Sequence, residues 1–358
     1  MKRLVMLAKR AAIAAAFLQI TGCASTAPVV DKQRYFWPPL PDTPRIEWLA
    51  AYTGQDDVEP PGPFAKILGS GESIGLDKPV HIASNGQGKI YVVDQKNGVV
   101  FFDLPKKQVK ILGGVESLEL LKRPSGIALD GEGNVYVGDA QERRIVVFGQ
   151  NGEISRTMDL SARLKNIGSF AIDKARKVLI VPDIWEHKVV MFDLNGNYIR
   201  GVGKRGTQEG DFNYPSSVAV DRQGNILVCD AMNARIQRFT HELKLINTFG
   251  KRGDGPGEFN IIKGVSVDSE GHIYVTDGKS HNLGIYNEQG EVLLSIGGPF
   301  SLQPGLSVTP GGFLLPQGIY IDQNDTIYIV DSMNSRFQMF QYLTERYLQE
   351  HPVTAEAK

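Results

Sequence analysis

The chain has 358 residues, 39 Lys+Arg against 40 Asp+Glu, and 42% hydrophobic residues. That apolar content supports a packed core and excludes wholesale disorder, and the near-neutral charge argues against nucleic acid as the main partner. With only two cysteines, haem attachment through Cys-x-x-Cys-His, a zinc ribbon and a disulfide framework are excluded.

Residues 1–22 read as a secretory signal rather than as structure. Lys2, Arg3, Lys9 and Arg10 form a basic start, and Ala11 to Gly22 is apolar or small. A run of about 12 residues is too short to span a bilayer. It ends in Ile20-Thr21-Gly22-Cys23, which resembles the bacterial lipobox. That resemblance implies a diacylglycerol thioether on Cys23 and cleavage just before it. Ala24 in place of an aspartate implies the outer membrane, with the lipid as the membrane anchor. The chain from Cys23 onward carries 35 basic and 40 acidic residues, a formal charge of −5, which weakens a nucleic-acid role further.

Residues 23–45 are expected to be a tether. Pro28, Pro38, Pro39, Pro41 and Pro44 make a stiff, extended spacer rather than a folded element. Tyr35-Phe36-Trp37 is unusual for a plain linker. It suggests packing on the domain side, or else a membrane-interface or partner contact.

From about residue 46 to 347 the chain repeats. Each unit reads as an alternating strand, a tight polar turn and a second strand ending in aspartate. Glycine, 39 of 358 residues or roughly 11% against a usual ~7%, supplies the turns. The second-strand aspartates are Asp94, Asp139, Asp183, Asp230, Asp277 and Asp331, spaced 45, 44, 47, 47 and 54 residues apart. Six matches at that period indicate a repeat architecture, and four short strands per unit read as propeller blades. The sixth unit shows three strands before the chain leaves the pattern. The missing strand is at the start, in Arg45 to Tyr52, so the N-terminal strand is expected to complete the last blade and leave no long exposed edge. The fold class is therefore all-β, a six-bladed β-propeller of four-stranded blades, with residues 348–358 as a tail.

Several motifs recur in register. Asp230-Ala231-Met232-Asn233-Ala234-Arg235-Ile236 returns as Asp331-Ser332-Met333-Asn334-Ser335-Arg336-Phe337. Phe249-Gly250-Lys251-Arg252-Gly253 is echoed by Gly203-Lys204-Arg205-Gly206. With the Pro-x-Gly-Ile start of strand one, these resemble NHL-repeat six-bladed propellers over about Ile46 to Tyr347. The resemblance implies the fold and leaves the activity open. The Asp, Asn and Arg positions have a structural explanation: the carboxylate accepts turn amides, Asn tolerates left-handed geometry, and Arg pairs back to Asp. Unit five reads as one residue longer between Asp277 and Asn282. The strand-one aspartates Asp130, Asp173, Asp221, Asp268 and Asp322 are better explained as turn caps than as calcium ligands.

The strand order places strand-one starts, two–three turns and blade linkers on one face, here called upper, where a ligand site is expected at the channel mouth. The linker from Leu302 to Leu315 is expected to overhang this mouth or to span a wider gap between blades. Propellers of the peptidyl-hydroxyglycine amidating lyase type place zinc-binding histidines just after the strand-one proline. The matching positions are Val80, Ser125, Gly168, Ser216, Lys263 and Gln317. None is histidine, and catalytic zinc needs three protein ligands. Gluconolactonase-like propellers hold calcium in the channel, which would need six or more oxygens. No cofactor is expected, calcium in the channel being the exception kept open. Gly201 to Gly206 matches a dinucleotide fingerprint formally, but no helix follows. Cys229 reads as a small buried packing residue.

The candidate contacts are Trp185, His187, Met232, Met333, Lys263 and His81, an exposed aromatic beside adaptable methionines and polar groups at the mouth. The expected role is a non-catalytic scaffold for another envelope protein or a peptide. A metal-assisted hydrolase or lyase at the channel mouth is the alternative.

Overall fold

A repeat of this kind folds as a meander because its strands are short, alternate with turn residues, and need apolar cover on both faces. The computed structural model describes residues 34–60, 62, 73–300 and 309–353. The expected signal segment, Cys23, the expected spacer up to residue 33, and residues 301–308, which include the first part of the Leu302–Leu315 linker, lie outside the described residues.

The described chain begins with β1 (Tyr35–Trp37) and β2 (Ile46–Tyr52), whose partner comes at its far end. Blade one is β3 (Pro79–Ser84), β4 (Lys89–Asp94), β5 (Gly98–Asp103) and β6 (Gln108–Ile111). Blade two is β7 (Pro124–Leu129), β8 (Val135–Asp139), β9 (Arg144–Phe148) and β10 (Ile154–Asp159). Blade three is β11 (Ala171–Asp173), β12 (Val178–Asp183), β13 (Lys188–Asp193) and β14 (Tyr198–Val202). Blade four is β15 (Pro215–Val220), β16 (Ile226–Asp230), β17 (Arg235–Phe239) and β18 (Leu245–Phe249). A two-stranded parallel ladder of β19 (Lys251–Arg252) and β20 (Glu258–Phe259) leads into blade five, which is β21 (Ile262–Val267), β22 (Ile273–Asp277), β23 (Asn282–Tyr286) and β24 (Val292–Gly297). Blade six is β25 (Pro316–Ile321), β26 (Thr326–Asp331) and β27 (Arg336–Tyr342), completed by β2. Short helices α1 (Gln55–Val58), α2 (Gly114–Leu120) and α3 (Glu345–Glu350) sit outside the blades.

Each blade is antiparallel, and the first strands of successive blades touch all the way round, including β25 against β3. The molecule is therefore a closed six-bladed β-propeller. Its core lies between blades, with one apolar cluster for each of the six seams. Strands covered on both faces lose the polar alternation of a half-exposed sheet. Hence β8 and β16 are buried at every position, while the outer strands β10 and β14 are mostly exposed.

The expected closure is present. β2 pairs with β27 from Ile46↔Tyr342 to Tyr52↔Phe337, and Trp48 Nε1 donates to Gln338 Oε1 at 3.1 Å. Part of the expected spacer also joins the sheet. β1 adds a fifth strand to blade six through Tyr35↔Trp48, Phe36↔Glu47 and Trp37↔Ile46. Aromatic packing and a two-pronged Arg34–Glu47 pair at 2.7 and 2.9 Å hold it there. The flanking prolines had suggested only an extended spacer. Three residues between them suffice for an edge strand, where a missing amide costs nothing if it faces solvent.

The expectation of a longer fifth unit does not hold. Asp277 pairs with Asn282, five residues on, as Asp230 pairs with Arg235 and Asp331 with Arg336. Blade one is the short one, with Asp94 paired to Gly98. In every blade the residue four after the aspartate is left-handed: Gly98, Arg143, His187, Ala234, His281 and Ser335.

Candidate functional site

The upper face is assembled by the six second-strand aspartates. Each is fully or almost fully buried. Asp94 accepts from the amides of Asp77 and Lys78 in the blade linker, and from those of Lys96 and Asn97 in its own turn, at 2.7–2.9 Å. Asp183 and Asp277 repeat this arrangement, at 2.7–3.2 Å and 2.6–3.1 Å. In blades four and six, Asn and Arg side chains replace the turn amides. Arg235 reaches Asp230 at 2.8 Å and Arg336 reaches Asp331 at 2.7 Å. Each carboxylate thus staples a linker to a turn and fixes where strand one begins.

Just past each staple the first strand carries a β-bulge. Pro79 pairs with Asp94 but His81 with Val93, so Val80 has no opposite residue. The same slip occurs at Ser125, Ser216, Lys263 and across Gln317-Gly318. A bulge re-aims the extra side chain. Here Val80, Ser125, Ser216, Lys263 and Gln317 all line one cavity at the upper mouth. Blade three differs. Its strand starts late, and Ser169 instead bridges in parallel to Ser217 of blade four.

This cavity has a volume of about 630 Å³, within the roughly 300–1,000 Å³ range of ligand pockets. Lys78, Arg123 and Lys263 bring it three positive charges, and none of the three has an ion-pair partner among the described residues. Asp77 is the lining carboxylate, and its oxygen lies 2.8 Å from Lys96 Nζ. Burial pulls the Lys263 ammonium below its usual value, against an opposing pull from Asp277. The serines are loosely held, donating at 3.4–3.5 Å from Ser125, Ser169 and Ser216, long for hydroxyl donors. At the rim stand Trp185, 59% exposed, and Met333, 64% exposed.

A second cavity, of about 460 Å³, opens at the lower end of the channel. Its turns are capped by the strand-one aspartates. Asp268 accepts the amides of Glu270 and His272 at 2.9 Å, meets His272 Nδ1 at 2.8 Å and accepts the Tyr274 hydroxyl at 2.9 Å. Asp322 accepts from Asn324 N and Tyr328 Oη, and Asp221 from Asn225 N and Arg238 Nη2. Among the described residues, no three His, Cys, Asp or Glu side chains converge as a metal site.

Of the residues singled out from sequence, Trp185, Met333 and Lys263 come together at the upper cavity. Met232 is exposed in the turn of blade four and does not line it. His187 is buried, and its Nδ1 accepts the Tyr214 amide at 3.0 Å while the ring packs edge-on against Tyr214. His281 does the same for Leu315. These histidines are linker caps. His81 lines the lower cavity instead. It is 6% exposed, its Nδ1 has no partner, and burial pushes its pKa down to about 4. At its level of the ring the other blades hold Gly126, Ser169, Ser217, Gly264 and Gly318, so the imidazole fills space that small residues leave. Cys229 is fully buried, and burial pushes its thiol up. Lys78 and Arg123 are site residues that the motifs did not reveal. Their sequence signal is a cation immediately before the prolines that open strand one.

Residues 212–239 and 259–286 match the NHL repeat. The protein is a six-bladed β-propeller carrying NHL repeats. Among solved structures it is similar to virginiamycin B lyase from Staphylococcus aureus, at 12% identity over 74% of this chain and 95% of that one, with a TM-score of 0.52. It is also similar to auxiliary nutrient binding proteins from Bacteroides thetaiotaomicron and Bacteroides ovatus. Identities are 15% and 14% over 75% of this chain and 70% of each of those, with TM-scores of 0.58. At these identities the likeness is one of fold. No helix among the described residues is long and apolar enough to cross a membrane.

Proposed function

We propose that this protein is a lipid-anchored propeller of the bacterial envelope that binds a protein or peptide segment at its upper mouth and does not catalyse a reaction on it. The observation that carries the reading is the upper cavity itself. Its bulged strands aim side chains inward, its three cations have no ion-pair partner among the described residues, and exposed Trp185 and Met333 stand on its rim. An exposed tryptophan beside methionine suits a contact anchor. Ile20-Thr21-Gly22-Cys23 supports lipid attachment at Cys23 and a place on the outer membrane. A nutrient-binding propeller of the same fold is compatible with a binding role. The lyase neighbour keeps an enzymatic alternative in view, but the described residues supply no metal-ligand cluster in its support.

The test is crosslinking in intact cells, capture of the tagged protein and mass spectrometry, with Trp185→Ala alongside. Recovery of one envelope partner by the unaltered chain and its loss with Trp185→Ala supports the reading. Equal recovery by both removes the upper mouth from it. Loss of radiolabelled palmitate incorporation in Cys23→Ser tests the anchor.

A further inference from the structure

We infer that the segment taken up by the upper mouth is acidic, its carboxylates meeting the Lys263 ammonium inside the cavity and Arg123 and Lys78 at the rim. This rests on the binding reading of the same mouth and names the chemistry of its ligand.

The argument is one of charges without partners. The deeply buried arginines elsewhere are paired: Arg235 with Asp230, Arg238 with Asp221 and Arg336 with Asp331. The three cavity cations have no ion-pair partner among the described residues. They come from the start of three different blades and line one concavity. The stapling carboxylates beneath are 0–3% exposed and present no free face to it. Asp77 is already held by Lys96. The mouth is therefore cationic on a chain that carries a formal charge of −5 from Cys23 onward.

Lys263 matters most because of where it stands. The bulge places it at a position that other blades fill with Val80, Ser125, Ser216 and Gln317. It lies across Gly278, where an added Cβ would come within 3.1 Å of its side chain. A half-buried ammonium without a partner is costly to hold, and a carboxylate brought against it recovers that cost. Three cations around one concavity suit a few carboxylates of a short segment. A nucleic acid calls for a longer basic stripe. Trp185 and Met333 would cover the apolar part of such a segment.

The experiment is fluorescence anisotropy on the full chain in detergent micelles. The probe is rhodamine-labelled hexaglutamate, with hexaserine, hexalysine and octathymidylate as comparisons. Hexaglutamate is expected to bind, and to bind at least about tenfold more weakly at about 0.5 M than at about 0.05 M NaCl. Lys263→Met is expected to weaken it about tenfold, and Arg123→Gln and Lys78→Gln about threefold each. Hexaserine binding as well as hexaglutamate, octathymidylate binding more tightly, or an unchanged Lys263→Met would each overturn the inference. Failure of hexaglutamate while Trp185-dependent capture of a partner persists removes the acidic ligand and leaves the binding mouth. Failure of both removes both.

Discussion

At the lower end of the channel Asp268 takes four hydrogen bonds from its own turn and strand; at the upper end Lys263 donates none to an acid among the described residues. Both belong to the same strand, β21 or the residue just after it. The two mouths are built from one repeated unit and both spend carboxylates on folding, yet at the upper one Lys263 stands half-buried beside Lys78 and Arg123, with no ion-pair partner for any of the three among the described residues. A partly buried charge without a partner is a cost to stability. Lys263 carries that cost at the upper mouth, with the exposed Lys78 and Arg123 beside it, and its bulge is what turns its side chain toward the cavity.

The comparison is tested hardest by removing a lower-mouth carboxylate. Asp268→Ala strips partners from two turn amides, His272 and the buried Tyr274 hydroxyl, and should cost about 3 kcal/mol in urea unfolding. A loss under about 0.5 kcal/mol, the usual range of surface changes, would break the contrast.

His81 gives the next effect. Its folded pKa of about 4 lies below the ordinary 6.5. Between those values the unfolded chain binds a proton that the folded chain does not. Stability therefore falls as pH drops through this window, by up to about 3 kcal/mol. His81→Leu should remove that part of the acid sensitivity, read as the difference between the two unfolding curves at each pH. A parallel pair of curves would show that the buried ring carries no such linkage.

Gly318→Ala should cost about 1–3 kcal/mol by overpacking. A Cβ there would meet the His81 Cα at 2.7 Å and its ring at 2.7 Å. Two of the three close contacts are to backbone, the His81 Cα and the Val80 carbonyl at 2.8 Å, so the cost should persist in Gly318→Ala with His81→Gly; full recovery would show that it comes from the ring alone.

The smallest effect is the most telling. Lys263→Met should leave unfolding unchanged to within about 0.5 kcal/mol, or raise stability slightly, because it removes an unpaired, half-buried charge. Strong destabilisation would mean that the lysine serves the fold, and the two mouths would then be alike.

Much of the architecture was legible in the sequence because the aspartates recur at nearly constant spacing and each caps the same kind of turn. Ring closure was legible because the last unit lacks a strand that the start supplies. The bulges were not, since a slip of one residue in pairing leaves no mark in a single strand's sequence. Lys78 and Arg123 carried a signal, a cation before the proline that opens strand one, but that spacing alone does not say which cavity the side chain faces. His187 stood among the candidate contacts at the mouth. Its ring is instead spent on an amide 27 residues away, a contact that no local spacing encodes. Unit five looked long because the turn was measured by residue type rather than by register.

Blade six has one further consequence. It is the blade in which the two ends of the described chain meet, with β2 against β27 and Arg34 Nη1 donating to the Pro352 carbonyl at 3.3 Å. Every other blade is drawn from a single stretch of chain, so this one alone is sealed without a covalent turn between its last two paired strands. Joining these ends by a short linker and opening the chain in another blade linker would give a circular permutant with the same blades. The seam would then move with the new ends.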